Sequence, residues 1–495
     1  MRTTRVVALV LMVAVVLVRT LPFLGPVPPQ GLYGSDAAIP VLMCNLATVG
    51  PLHWLYWGQD RFGSWPFLLA RIGGALTGGT WTPHGLHVAR VLWMSMATVP
   101  WVAVAGRAGA FGAAGLLLLP VLSPVLGSVL VDLATVDGWQ LPALLWAWWG
   151  MRQSVRSARP APWLCLAVVT GALATWSSLV SAPLLLVLAV VEGSPGGVPV
   201  RRRVLLGLPV VAGLAVESAV RAAWHAAVRA RGWRDVRTPA RLDTGHLLEN
   251  LRQVAVVAWR EGAVPWLAAA VVTAGLLFVS RRGAVPERRT VTGAVGAAAT
   301  ALLIVVAVRH VRDNAYHWRY LGVGLAFAVL AVCVGVGLGL HLLVAHAAPR
   351  LAAPSVVLAG VLAVVLGTPP AGPDARETVL RPVASQLATR FPGSVLAANY
   401  WRTYAVAALL PPWAVIPVPR EGEWNRRPDW VPFLGAGGPV LVGRLDTDPG
   451  PPPGTLLERG VQLVLVEADV LHVPPFPAEA TGERLSLYRS AAAAR

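Results

Sequence analysis

Two carboxylates stand early in the chain, Asp36 in GLYGSDAAIP and Asp60 in YWGQDRFGSWP, and an Arg-, His- and Tyr-rich run, RHVRDNAYHWRYLGVG, lies at 309–324. A carboxylate at a membrane boundary can serve as a base for a hydroxyl proton. It also fits a helix N-cap, since Ser35-Asp36 precedes the helix-like piece Ala37 to Val49, and a capping carboxylate can still be a base. Asp60 with Gln59 could hold a divalent cation or orient a substrate hydroxyl. Its other reading is a surface pair with Arg61, which contributes little. In the downstream run, Arg312, His317, Arg319 and Tyr320 open an apolar stretch. Arginine presents planar paired donors that match phosphate oxygens, so the run could hold a lipid-linked phosphate or act as an interfacial anchor. Asp132 and Asp137, which bracket LATV, are second-rank candidates whose alternative is an ordinary loop.

Other chemistries find little support. His53, His84, His87 and His246 are scattered without ligand spacing such as HExxH, so no metal site is assigned. Cys44, Cys165 and Cys333 are far apart and read as small apolar residues. There is no Walker A loop or dinucleotide fingerprint, and GVGLG lies within an apolar run, where glycines serve helix packing.

The elements that must position these groups are membrane helices. The 495 residues are 56% hydrophobic and 13% charged, with a mean hydropathy of +0.62, against the ~25% charge usual for soluble domains. The net charge of +17 would suggest nucleic acid in a soluble protein. Here the basic residues, all arginine, sit largely in short segments between apolar runs, so no nucleic-acid partner is expected. Spans are predicted at Val6–Val18, His84–Gly106, Phe111–Val131, Gly138–Met151, Pro162–Val180, Ala182–Glu192, Val204–Val220, Val264–Ser280, Val291–Val308, Trp318–Leu340 and Leu351–Leu366. That makes about 11 spans, at about 20 residues for a full crossing.

Arg2 and Arg5 put the N-terminus in the cytoplasm. The segments holding Arg107, Arg152/Arg156/Arg159, Arg201–Arg203, Arg281–Arg289 and Arg350 then fall on the inner side, and Asp36 and Arg319 on the outer side. The first external loop, 25–83, is aromatic-rich and suggests interfacial helices. A second external segment, 221–262, carries eight arginines from Arg221 to Arg260 and reads as amphipathic helices facing anionic head groups.

After GTPPAGPDA the pattern changes. SVLAANYW, WAVIPVP, PVLVGR and VQLVLVEADV read as short strands and TYAVAAL as a helix, so residues 367–495 are expected to form a small extracytoplasmic α/β domain beside the membrane domain 1–366. The fold class is therefore mainly α, a polytopic membrane helical bundle with a C-terminal α/β domain.

This layout resembles the GT-C class of polyprenyl-phosphate-sugar-dependent glycosyltransferases, which includes the protein O-mannosyltransferases and the bacterial lipid A aminoarabinose transferases. The motifs that carry the resemblance are GSDAAIP, WGQDRFGSWP, HWRYL and LAANYWRTYAVAALLPP. It implies that Asp36 is the general base, that Asp60 corresponds to the second acidic residue of the loop, and that Arg319 with Tyr320 stands near the donor phosphate. It further implies a polyprenyl-phosphate sugar donor and inverting transfer to a glycan, lipid or protein acceptor at a bacterial cell membrane, with a divalent cation as the one cofactor to consider. The sequence departs from the frequent adjacent acidic pair, because Ala37 follows Asp36. A lipid or polysaccharide transporter or flippase is the alternative, and a non-catalytic envelope scaffold is a third; a transporter would carry polar residues deep in several spans, and the spans here are mostly clean.

Overall fold

Long uncharged runs fold as helices because a helix satisfies every backbone N–H and C=O within its own segment. The computed structural model describes residues 35–46, 50–57, 62–104, 139–194, 198–232, 242–260, 262–279, 285–313, 318–347, 375–421, 428–448, 450–475 and 481–492. In the N-terminal part the helices are α1 (Ser35–Leu46), α2 (Trp65–Thr77), α3 (Pro83–Ser95), α4 (Thr98–Val104), α5 (Gln140–Arg156), α6 (Pro160–Ser177), α7 (Ser181–Gly193), α8 (Val200–Leu205) and α9 (Leu208–Ala230). They are followed by α10 (Leu247–Arg260), α11 (Val264–Val279), α12 (Val285–Ala307), α13 (Arg309–Asp313) and α14 (Gly322–Ala347).

Four stretches among the described residues are long and apolar enough to cross a membrane: Pro160–Ser177, Val200–Ala230, Glu287–Ala307 and Gly322–Gly339. The pair Thr244–Arg260 and Val264–Phe278 qualifies only together, bent by 102°. Of the expected spans, Val6–Val18, Phe111–Val131 and Leu351–Leu366 lie outside the described residues. The expected span His84–Gly106 is broken into α3 and α4 around Met96 and Ala97. Pro100 supplies the reason, since it has no N–H to bond back to Met96.

Small residues set the helix packing. A Cβ on Gly171 would come within 2.9 Å of Pro209, and one on Gly213 within 2.4 Å of Thr175. This register makes α6 and α9 parallel, with the short α7 returning between them. Gly293 faces Leu188 and Gly296 faces Val187, so α12 runs opposite to α7. The C-terminal ends of α6, α9 and α12 therefore gather at one end of the bundle.

The opposite end is held by charge. Arg152, expected as a loop cation, is instead buried in the bundle at 1% exposure and pairs with the equally buried Glu192 at 2.5 Å. Its Nη1 donates to the Val104 carbonyl and to Thr290 Oγ1, and Trp148 Nε1 donates to Glu192 at 2.8 Å. Four elements converge on one guanidinium because a charge removed from water must have its donors satisfied.

The C-terminal part begins with α15 (Ala375–Arg390) and contains α16 (Tyr400–Ala408) with strands β1 (Ser394–Ala397), β2 (Val415–Pro417), β3 (Val440–Leu445), β4 (Thr455–Glu458), β5 (Val461–Val473) and β6 (Glu483–Ser490). The sheet order is β2-β1-β3-β6-β5-β4. β1 pairs in parallel with β2 and β3, and the remaining ladders are antiparallel. The four strand runs read from sequence are all present; α15, β4 and β6 were not anticipated. α16 is tied to the sheet by Glu483, which accepts from the Asn399 N–H at 3.1 Å and from Arg402 at 3.3 Å. Burial pushes the Glu483 carboxyl up, and the Arg402 charge works against that shift.

Glu192→Ala should leave Arg152 buried without its counter-ion and lower stability by about 3–5 kcal/mol. The double change Arg152→Met with Glu192→Leu should recover most of that loss, as read by thermal unfolding in detergent.

Candidate functional site

α1 begins at Ser35, so Asp36 lies within its first turn, where the positive end of the helix dipole favours a carboxylate. Pro40, four residues on, has no N–H to return to the Asp36 carbonyl. A helix of 12 residues is marginal alone. Packing fixes it: Ala38, Ile39, Met43 and Cys44 are buried in one cluster with Tyr404, Ala405 and Val406 of α16. At its far end, Asn45 exchanges hydrogen bonds with the Trp81 backbone at 2.7 and 2.8 Å.

The rest of the first loop is pinned to the bundle end where α6 and α9 terminate. Tyr56 N–H donates to the Phe62 carbonyl at 2.8 Å, and Leu55 bridges Gly63. Phe62 bridges Ser178, and Trp65 Nε1 donates to Ser177 Oγ at 2.7 Å. Leu55 packs with Val220, Trp224 and Val228 of α9. These contacts hold together the two flanks of residues 58–61. Gln59 and Asp60 themselves lie outside the described residues, as do Asp132 and Asp137. Just before them, Trp57 donates to His53 Nδ1 at 2.9 Å and meets Trp430 of the sheet unit edge to face at 5.5 Å.

The second candidate segment sits at the same end of the bundle. A single 3-10 turn, Trp318–Leu321, carries Arg319 and Tyr320 and touches α10, α12 and α14. Tyr320 is half-buried against the bundle core, and Leu321 is buried. His317 lies outside the described residues.

Arg312, on α13, has a partner that the sequence reading did not supply: its Nη1 lies 2.6 Å from Asp243. Asp243 is 8% exposed at its side chain, with His246 Nδ1 at 2.7 Å and Asn250 Nδ2 at 3.2 Å. Asn250 also donates to the Val306 carbonyl, and the Asp243 N–H donates to Ala307. The end of α12, the start of α10 and α13 are thus joined through one carboxylate. Burial raises the Asp243 pKa, but the hydrogen bonds from His246 and Asn250 and the Arg312 charge outweigh it and hold the carboxyl below its ordinary value. The sequence reading names neither Asp243 nor Asn250, and it weighs His246 only as a metal ligand. The signal was present in DTGHLLEN, where an acidic residue opens a helix with His and Asn at i+3 and i+7, the same face of the first two turns.

Among the described residues no group of three or more His, Cys, Asp or Glu is gathered to hold a metal ion. At this end of the bundle the backbone puts Asp36 in the first turn of α1 and Arg319 and Tyr320 on one 3-10 turn.

No family model matches the chain, and no curated protein matches it. Solved structures do. ArnT from Cupriavidus metallidurans bound to undecaprenyl phosphate aligns over 88% of this chain and 92% of its own, with 15% identity and a TM-score of 0.51. The Archaeoglobus fulgidus oligosaccharyltransferase in the apo form aligns over 83% of this chain and 64% of its own, with 13% identity and a TM-score of 0.48. Both neighbours are GT-C glycosyltransferases. At such identities the likeness is one of fold, and the ArnT match extends it over nearly the whole chain.

The depressed Asp243 pKa has a definite sign. Its stabilisation is complete above the ordinary carboxylate value of 3.8 and is lost as pH falls through the lower folded-state value. The thermal midpoint of Asp243→Asn should therefore lie below wild type at neutral pH, and the two should converge on strong acidification.

Proposed function

We propose that the chain is an integral membrane glycosyltransferase that moves a sugar from a polyprenyl-phosphate carrier to a cell-envelope acceptor, a glycan, lipid or protein, on the extracytoplasmic side. The observation that carries the reading is that α1, with Asp36 in its first turn, and the Arg319–Tyr320 turn lie at one end of a bundle with the fold of ArnT. ArnT is itself bound to undecaprenyl phosphate.

A sugar on a polyprenyl phosphate already has an activated leaving group. Transfer then needs a base for the acceptor hydroxyl and positive charge for the departing phosphate. Asp36 takes the proton as the acceptor oxygen attacks the anomeric carbon opposite the phosphate, so the C–O bond to phosphate breaks with inversion. Arg319, Tyr320, Arg312 and His317, all on one segment, meet the phosphate charge that is released. Arg312 does so while bonded to Asp243, which braces the segment against α10 and α12. Asp60 and Gln59 would orient the acceptor hydroxyl, and they are the groups that would hold a divalent cation. The short arginine-bearing connections that fall on the other side support the assignment to the outer face; the eight arginines of 221–262 run against it, in a segment longer than the short connections that the positive-inside rule weighs most.

The test is glycan analysis of a deletion strain complemented with wild type or with Asp36→Asn. Losing the base should lower transfer by roughly 10²–10⁴-fold while the variant still inserts and folds. An envelope glycan restored in full by Asp36→Asn would overturn the mechanism.

A further inference from the structure

The turn between α16 and β2 holds a residue in a conformation that its type disfavours. In Pro411-Pro412-Trp413-Ala414 the Ala414 N–H closes the turn onto the Pro411 carbonyl at 3.1 Å. Pro412 occupies the second position, and Trp413 the third with φ +68°. That third position with positive φ is the one type II turns give to Gly or Asn. A bulky side chain there strains the backbone, by about 1–3 kcal/mol in general. Half of the side chain nevertheless faces water, with Trp413 50% exposed. Among the described residues no acceptor meets its indole N–H.

One face of the ring has a fixed support. Trp413 meets Trp430 edge to face at 6.0 Å, and Trp430 meets Trp57 at 5.5 Å. Both inner rings are 2% exposed. The exposed indole is thus the outer member of a row of three that starts in the first loop, next to the residues that carry Asp60. An exposed indole offers an apolar face for the C–H side of a sugar ring, and its N–H is a donor for a hydroxyl. Strain kept at an exposed, rigidly backed ring is the pattern expected of a ligand clamp.

We propose that Trp413 is the platform of a carbohydrate subsite, stacking a pyranose ring at the seam between the sheet unit and the first loop. The proposal rests on the glycosyltransferase reading for its role, as it makes a sugar ring of the acceptor or of the donor the group held beside the reacting centre. The binding itself is measured without turnover, so it fails or stands separately from the Asp36 test.

The full chain in nanodiscs is titrated with neutral manno-, xylo- and maltohexaose, and tryptophan emission is compared between wild type, Trp413→Gly and Trp413→Phe. Glycine is unstrained at this position, so Trp413→Gly should keep or raise the thermal midpoint. A saturable emission change with at least one oligosaccharide in wild type, lost in Trp413→Gly, supports the subsite. Weakened binding that survives in Trp413→Phe, measured by calorimetry, supports it further. In turnover, Trp413→Gly should raise the KM of whichever substrate supplies the ring, the acceptor or the polyprenyl-phosphate sugar, by about tenfold with kcat little changed. The proposal is overturned by titrations that do not distinguish wild type from Trp413→Gly, or by a Trp413→Gly chain that unfolds at lower temperature. It is equally overturned if the Trp413 emission is quenched by brominated lipids of the disc, which would make the residue a membrane anchor.

Discussion

The two ends of the described chain are joined by apolar packing between α1 and α16, and the remainder of the candidate site depends on that contact. Ile39 and Met43 have no water contact, and they share one buried cluster with Tyr404, Ala405 and Val406. Burying side chains of this size stabilises by about 1.5–3 kcal/mol each, more than a short helix with an internal proline can supply from its own hydrogen bonds. α1 therefore has a defined orientation only when the sheet unit is folded beneath it. α16 in turn is set by its own Arg402 meeting Glu483 of β6 on the sheet. The position of Asp36 is specified by residues more than 350 positions downstream.

Charge is used differently at the two ends of the bundle. Arg152 and Glu192 are sealed at 1% exposure among α4, α5, α7 and α12, where water cannot compete for either ion. Asp243 and Arg312 stand where the chain leaves α12, with Arg312 still 28% exposed. A sealed pair of this kind fixes helix packing, whereas a half-open pair keeps one donor-rich group accessible to an incoming anion.

Much of this was legible in the sequence. The apolar runs give helices because no other structure satisfies a backbone away from water, and the Gly/Pro-punctuated runs of the tail give strands. The broken helix at Met96 follows from Pro100 and could have been read from that residue. Arg152 could not be told from its neighbours Arg156 and Arg159, since only tertiary packing removes one of the three from solvent. Asp36 was found through its position after the first apolar run and the family likeness, while its supporting surface was hidden: nothing local in YWRTYAVAA says what its apolar face covers. Asp243 was overlooked because its partner Arg312 is 69 residues away, and pairings at that separation leave no periodic trace. Trp413 was visible as PPWA, a turn sequence with an indole where glycine is usual, but its exposure and its stacked neighbours were not.

The parallel packing of α6 and α9 has a further consequence. With Gly213 beside Thr175, α6 ends level with about residue 215 of α9, yet α9 continues to Ala230. At 1.5 Å per residue the overhang is roughly 20 Å, and it is this free length that carries Leu55 through Val220, Trp224 and Val228. Phe62 and Gly63 are meanwhile tied to Ser178 and Ser177 at the end of α6. The two flanks of residues 58–61 thus rest on two helices that end at unequal heights, and a turn added to or removed from α9 would pull Leu55 away from Gly63 instead of carrying both flanks together.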